Sequence, residues 1–465
     1  MNLQKFLGLG RQRSPSNTQP KVELRIGDEL FGEIHRHVED WIDGEQGAFI
    51  LCGHAKAGGT DVLLARAWER VPAMPRTSSS RDEHGLEWSA QFSASILAKS
   101  DRASAAIVLV HSHGASSRPM LSDTDVGTAR RLFPGFSRVL KGKPSGSVVL
   151  GRHAAAGPFW QDGRPYGELS RLRVVGAPIQ FWTPTAGSAQ RPPAKRRHAR
   201  MILAIGPDSE AKLAAASVAV IGLCGGGSHV VQQLAHVGVG RLVLVDHDRV
   251  EDVNLGRMIG SRPSDASKEV FKTQVMARMV RAIDPTVVVE QVRHAFPEPK
   301  TLAALKSADV VVSCVDSFLA REQINVFCRR HHLPLVDIGL GIKTEGERIK
   351  TASGQLLVVT PESPCLRCGP LLADSVLERE RRERPPGYDE NPNAPGEPQV
   401  VSMNGTLASE ATNTVLDFVT GYSNGKRGAG WWLYNPRVGE VTRCRPPPRR
   451  PDCPACAEQG LGDPS

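Results

Sequence analysis

The sequence predicts an α/β protein of two units joined by a basic, proline-rich segment, with the second unit built on a mostly parallel sheet. Three observations lead there. The chain has 465 residues, room for two or three domains at ~100–200 residues each. From Met201 onward, strand-length apolar runs alternate with segments of helical period. Between the halves, TPTAGSAQRPPAKRRHAR (residues 183–200) is rich in Pro and basic residues and contains no acid.

Composition narrows the class. Hydrophobic residues make up 40% and charged residues 23%, the balance of a globular chain and not of a disordered one. No uncharged apolar run approaches the ~18 residues of a membrane span. The stretch Phe6 to Gly10 is too short for a signal-peptide core, so a cytoplasmic protein is expected. In that setting the nine cysteines read as thiols or metal ligands, not as a disulfide framework.

The elements follow in order. Residues 1–20 form a polar, basic tail. Residues 21–182 read as an α/β unit: a helix over Glu29 to Ile42 (Leu30, Ile34, Val38, Trp41) and strands at Ala48–Cys52, Ala105–Val110 and Val148–Leu150. Residues 183–200 are the linker, and residues 201–465 the second unit. Its strands fall at Ser217–Ile221, Arg241–Asp246, Asp309–Val315 and Pro334–Asp337. Its helices fall at Val230–His236, Lys268–Ile283 and Arg321–Arg330. Glu378 to Pro398, charged and then Pro-rich, is expected to be an exposed crossover loop.

The chemistry of the second unit starts at its first strand. Ser217–Ile221 runs into Gly222-Leu-Cys-Gly225-Gly226-Gly227 and then a helix, so that backbone N–H groups and the helix dipole can meet phosphate. The next strand ends in Asp246, placed for a ribose hydroxyl. A glycine turn alone would also fit a dinucleotide fold, or a turn that binds nothing. The residues that follow add Asp246-His-Asp248, Asn254-Leu-Gly-Arg257, Lys272 and Ala282-Ile-Asp-Pro285.

From about Arg197 to Cys456 this pattern resembles the ThiF/MoeB/ubiquitin-activating adenylyltransferase superfamily. The resemblance implies a Rossmann-like domain that uses ATP and Mg²⁺. Gly222, Gly225, Gly227, Asp246 and Asp248 would line the nucleotide, and Asn254, Arg257 and Lys272 would grip its phosphates. Asp316, in Val311-Val-Ser-Cys-Val-Asp316, would bind Mg²⁺. An adenylation transition state spreads charge over the α-phosphate and leaving pyrophosphate, which is why cations belong there. Arg197-His-Ala-Arg200 is similar to the family's R-x-x-R, whose second arginine reaches the partner subunit's ATP, so Arg200 implies a homodimer. Cys224 departs from the pattern, standing where the family has glycine; a side chain there needs φ < 0.

Cys365-Leu-Arg-Cys368 and Cys453-Pro-Ala-Cys456 form two C-x-x-C pairs, which together satisfy a closed, structural Zn²⁺ site. Either pair alone would also fit redox chemistry. In ubiquitin-activating relatives a crossover-loop cysteine takes the activated carboxylate as a thioester. Here Gly369 to Val401 contains none. Cys314 and Cys328 are expected in the core and Cys444 is the exposed candidate. A direct acceptor protein, or a hydroxyl such as Ser402 or Thr406, is the alternative.

In the first unit, strand Ala105–Val110 ends in His111-Ser-His113, followed by Ser122-Asp-Thr-Asp125. Two histidines at a strand end and a downstream carboxylate can share a metal and leave a position for water. This resembles the JAMM (JAB/MPN-plus) metallopeptidase motif H-x-H…S-x-x-D. By that resemblance His111, His113 and Asp125 hold a catalytic Zn²⁺ and Ser122 stabilises the oxyanion. Glu45, before a short apolar strand, would take a proton from the attacking water and return it to the leaving amine. The rival pair His35-Arg-His37 lies in a helix, where i and i+2 diverge, and reads as surface.

Together these resemblances imply ATP-dependent adenylation of the C-terminal carboxylate of a Gly-tailed ubiquitin-like protein, joined to zinc-dependent processing or deconjugation. A conjugating enzyme is a further candidate partner. Activation of a sulfur carrier for cofactor biosynthesis is the enzymatic alternative, and a binding scaffold with an inactive peptidase half the non-enzymatic one. Nucleic acid is disfavoured because no aromatic residues accompany the basic stretches. Arg191, Lys195, Arg196, Arg197 and Arg200, with Arg443, Arg445, Arg449 and Arg450, already account for the net charge of +9.

Overall fold

Apolar runs of the first half pair into one closed sheet. A computed structural model describes residues 20–40, 45–72, 86, 88–186, 195–383 and 398–464. Described residues within Met1–Val174, Gln180–Gln190 and Gly460–Ser465 make up the first unit. Its strands are β1 (Lys21–Gly27), β2 (Gly47–Ala57), β3 (Thr60–Arg70), β4 (Ala106–Ser112), β5 (Ser145–Gly151), β6 (Ala154–Ala156), β7 (Pro158–Gln161), β8 (Arg164–Val175) and β9 (Gln180–Trp182). They run in the order β1-β3-β2-β4-β5-β7-β8-β9, and β8 also pairs with β1, so the sheet closes into a barrel. Helices α1 (Asp28–Val38), α2 (Ala90–Arg102) and α3 (Asp123–Val139) accompany it.

Strand alternation sorts β4 between two cores. Ala106, Val108 and Val110 pack with Phe31, Ile34 and Val38 of α1. Ile107 and Leu109 pack with Ala129, Phe133 and Phe136 of α3. Each fully buried side chain of this kind stabilises by ~1.5–3 kcal/mol. Period two then carries His111 to the α3 side. Helix α3 begins in a capping box between Ser122 and Asp125, which sets Asp125 in its first turn.

The second unit comprises Val175–Ile179 and the described residues of Arg191–Gln459. Its strands are β10 (Ser217–Ile221), β11 (Arg241–Val245), β12 (Val288–Val292), β13 (Val310–Ser313), β14 (Leu335–Glu345), β15 (Arg348–Val359), β16 (Trp431–Asn435) and β17 (Glu440–Cys444). The order is β12-β11-β10-β13-β14-β15-β16-β17. Pairing is parallel from β12 through β14 and antiparallel from β14 through β17. Helices α4 (Gly225–Val237), α5 (Lys272–Ile283), α6 (Phe318–Arg330) and α7 (Val401–Thr420) cover both faces. Val218 and Val220 pack with α4, α5 and α7, while Ala219 and Ile221 pack with α6. This is a Rossmann-like arrangement, and strand order reverses at β10, whose neighbours β11 and β13 leave a crevice at its carboxyl end. Among the described residues no helix is long and apolar enough to cross a membrane.

Several element limits differ from the sequence reading. The helix read from Lys268 starts at Lys272, because Glu269 takes a left-handed backbone (φ 46°) that ends the preceding turn. Arg196–His198 form a 3₁₀ turn and Ala199–Ile205 a helix, so the linker is already helical there. Glu378 to Glu383 are not loop but the end of a helix, Asp374–Glu383. The first helix ends at Val38, short of the expected Ile42, and Trp41 and Ile42, the tail (1–19) and the remainder of the expected crossover loop (384–397) lie outside the described residues.

Candidate functional site

The glycine turn after β10 is sterically determined. Gly222 has φ 83°, and a Cβ there would meet the Cys314 carbonyl oxygen at 2.9 Å. At Gly227 a Cβ would lie 1.8 Å from the Gly222 oxygen, so only glycine lets α4 approach the turn. Cys224 sits at φ −94°, where a side chain is tolerated.

Charged groups converge on this turn. Asp246 accepts hydrogen bonds from the backbone N–H of Leu223 (2.8 Å) and of Asp248 (2.9 Å). Burial holds its carboxyl above the usual range, against the pull of Lys272. Lys272, first residue of α5, donates to Asp248 Oδ2 at 2.7 Å. Burial disfavours its charge, but Asp246 and Asp248 outweigh this and push its pKa up, so it stays protonated. Arg257 Nε donates to Cys224 Sγ at 3.4 Å, which brings that guanidinium to the turn. Asn254 is buried, and its Oδ1 accepts from Glu251 N–H at 3.1 Å.

Asp316 lies exposed past the end of β13, where the N–H of Cys314 donates to the oxygen of Ile221 at the end of β10 (2.8 Å). It makes no ion pair with a described residue. Sequence reasoning missed what holds this loop: Arg321 donates to the carbonyls of Val315 (3.0 Å) and Ile338 (3.1 Å) and pairs with Asp337 (2.8 Å). Gly339 makes room for this guanidinium, since a Cβ there would meet Arg321 Nη2 at 2.1 Å. Arg197 donates to the Ile283 carbonyl (2.8 Å) and pairs with Asp284 (3.3 Å), capping the end of α5. Arg200 is exposed, with no ion pair to a described residue.

The four paired cysteines come together. Sulfur–sulfur distances are 3.9 Å for Cys365–Cys368, 3.6 Å for Cys365–Cys453 and 3.6 Å for Cys368–Cys456. A tetrahedral Zn–S₄ site with ~2.3 Å bonds has edges of ~3.8 Å. All four are buried. A hydrogen bond from Cys365 and, against burial, the charges of Arg329 and Arg449 pull the Cys456 thiol down. The donor set fits a closed four-coordinate metal. Burial pushes the thiols of Cys314 and Cys328 up, and Cys444 is half-buried, donating to the Thr442 carbonyl at 3.8 Å, not openly exposed as expected. Thr406 spends its hydroxyl on the Ser402 carbonyl (3.2 Å) within α7.

In the first unit, Glu45, His111, His113 and Asp125 offer ligand atoms all within 4.8 Å of one another. Asp125 Oδ2 lies 3.4 Å from His111 Nε2 and 3.3 Å from His113 Nε2. Those match the ~3.3 Å edges of a tetrahedron with ~2.0 Å bonds. Glu45 Oε1 stands back, at 3.7 and 3.9 Å from the same nitrogens. Burial raises the Asp125 carboxyl, but His111, His113 and Ser122 outweigh it and hold it well below the usual range. Ser122 Oγ donates to Asp125 Oδ2 at 2.7 Å. His35 and His37 are half-buried and are spent separately: His35 faces Glu39 (3.2 Å) and His37 the Gly47 carbonyl (3.1 Å).

Comparison with known proteins decides the family. The ThiF family model matches residues 196–455, more than half of the chain. The chain belongs to the ThiF family. The SAMP-activating enzyme E1 of Haloferax volcanii is 32% identical over 271 residues, 57% of this chain and 90% of that protein. Adenylyltransferase and sulfurtransferase MOCS3 of Mus musculus is 30% identical, over 57% of this chain and 53% of that one. The sulfur carrier protein ThiS adenylyltransferase of Escherichia coli K12 is 33% identical, over 37% and 66%.

The ThiF-family segment contains the glycine turn, Asp246, Lys272, Asp316 and Cys365 through Cys453, with Cys456 one residue past its end. The cluster of Glu45, His111, His113 and Asp125 lies before it, in the other unit.

Proposed function

We propose that this ThiF-family chain adenylates the C-terminal carboxylate of a small ubiquitin-like or sulfur-carrier protein with a Gly-rich tail. The observation that carries the reading is the charged set around the glycine turn: Lys272 held to Asp248 at 2.7 Å, with Asp246 and Arg257 beside it. A carboxylate oxygen of the carrier attacks the α-phosphorus of ATP, and the bond to the leaving pyrophosphate breaks. Lys272 and Arg257 supply fixed positive charge to the phosphates as that charge builds up. Asp246 would hold the ribose, with Asp248 and Asn254 completing the pocket. Asp316 would hold Mg²⁺, which offsets phosphate charge. Arg200 would complete a second subunit's site in a homodimer. The helix that carries it supports this, since it buries none of its residues and leaves Leu203 87% exposed.

For residues 21–182 the reading is a JAMM-like zinc peptidase, supported by the tetrahedral edges around Asp125. His111, His113 and Asp125 would hold Zn²⁺, which supplies Lewis acidity. Glu45 would take a proton from the attacking water and pass it to the leaving amine, and Ser122 would stabilise the oxyanion on turning its hydroxyl away from Asp125. The four cysteines would hold a structural Zn²⁺.

ATP–pyrophosphate exchange with a Gly-tailed carrier tests the first reading; exchange that survives both Lys272→Ala and Asp316→Ala would sink it. The name of the ThiS relative supports a sulfur-carrier substrate, and a thiocarboxylate product by intact mass would distinguish it from an amide or ester conjugate. For the peptidase, an uncut carrier fusion together with no zinc at His111, His113 and Asp125 would leave a binding scaffold instead.

A further inference from the structure

Arg329, in the last turn of α6, is 2% exposed, and no carboxylate among the described residues pairs with it. A guanidinium keeps its proton at any relevant pH, so its charge must be met by something inside the protein. Nη1 donates to the carbonyls of Thr360 (2.7 Å) and Ser363 (3.0 Å), just ahead of Cys365. Nη2 donates to Gln459 Oε1 (3.0 Å), just after Cys456. Nε is buried with no hydrogen-bond partner. Carbonyl and amide oxygens are dipoles and do not cancel a whole charge. The sulfurs of Cys456, Cys365 and Cys368 favour its charge, and the neighbouring guanidinium of Arg449 opposes it.

Two forms of the cysteine centre differ in charge. Four thiolates around Zn²⁺ carry a net charge of −2, whereas neutral thiols or disulfides carry none and would leave Arg329 buried and uncompensated. We propose that Arg329 is the counter-ion and positioning residue of a permanently metallated four-cysteine centre, held as a metal thiolate dianion and not as a redox dithiol pair. One guanidinium then does two jobs. It balances charge, and it ties the approach to the first cysteine pair to the exit from the second. This rests on the structural-zinc reading.

The test uses the full chain purified under reducing conditions, with zinc content and the rate of zinc transfer to a chromogenic chelator as readouts. Cobalt substitution adds thiolate charge-transfer absorption. Arg329→Gln is expected to release zinc about 10–100-fold faster, the usual effect of removing an outer-shell partner, while Arg329→Lys keeps the charge and stays close to wild type. Absence of zinc from the wild-type cysteines would overturn the metal reading itself. Zinc held by the wild type and released at the same rate by Arg329→Gln would overturn only the role of Arg329. If Arg329→Gln does not fold, Gln459→Glu against Gln459→Ala decides. The new carboxylate would draw the guanidinium from the sulfurs and speed release, and equal rates in the two would refute the proposal.

Discussion

Arg321 and Asp337 face each other at 2.8 Å with side chains 5% and 0% exposed, one on α6 and the other in β14. The same guanidinium holds the Val315 and Ile338 carbonyls, so the pair pins the loop carrying Asp316 to the neighbouring strand. Removing one partner of a buried pair costs ~3–5 kcal/mol, because the other charge is left alone. Arg321→Met is therefore expected to lower stability in urea by about that amount. It should also raise the KM for ATP in the exchange assay by releasing Asp316. An unchanged KM in a folded variant would separate the pair from the site.

Gly227 tests the turn. A methyl group there would lie 1.8 Å from a backbone oxygen that cannot yield. Gly227→Ala is expected to abolish carrier-dependent exchange and lower the melting temperature. Gly127, inside α3, has nothing within 4 Å of its Cβ position, so Gly127→Ala should gain up to ~1 kcal/mol of helix stability instead. Thermal unfolding of the two variants side by side provides the check.

Lys272 is the cation between two carboxylates. Lys272→Met removes charge that the phosphates need and leaves Asp246 beside Asp248 without relief. A loss of ~10²–10³-fold in exchange rate is expected, the magnitude of one preorganised electrostatic contact. Lys272→Arg should recover part of the rate. A rate within threefold of wild type for the methionine variant would remove Lys272 from the chemistry.

The second unit was legible because its central strands are buried on both faces and therefore read as unbroken apolar runs, Val218 to Ile221 and Val310 to Val312 among them. In the first unit the sequence reading found three strands where nine form among the described residues. β1 was legible, since Val22, Leu24 and Ile26 alternate with Glu23 and Arg25, but the sequence reading passed over it; in β8, Arg171 and Arg173 fall on the face of Leu169 and Val175 and break the alternation that marks a strand. The helix ending at Glu383 was hidden by its charges, although Glu378–Arg382 and Arg379–Glu383 are i,i+4 pairs that support a helix. His111, His113 and Asp125 were readable because one strand end and one helix start bring them together locally. Arg321 with Asp337, and Arg329 with Gln459, are joined only by tertiary folding, so no local pattern announces them.

Glu23 makes the acid stability of the first unit predictable. It is buried and bound by Arg25 (2.7 Å), Arg171 (2.8 Å) and Arg173 (2.9 Å). Burial raises its pKa, but the charges of Arg173, Arg25 and Arg171 prevail and hold it well below the usual carboxylate range. An unfolded glutamate titrates near ~4.3, above the folded value. As pH falls, the unfolded chain therefore takes up this proton first. The stabilisation is complete above ~4.3 and drains away as pH drops below it toward the folded pKa. Glu23→Gln is expected to lose ~3–5 kcal/mol of local stability at pH 7, with the gap from wild type narrowing below pH ~4. Hydrogen exchange of the β1 and β8 amides reads this locally, independent of the second unit. A gap that stays constant from pH 7 down to pH 3 would show that the charge on Glu23 contributes nothing to holding β1 against β8.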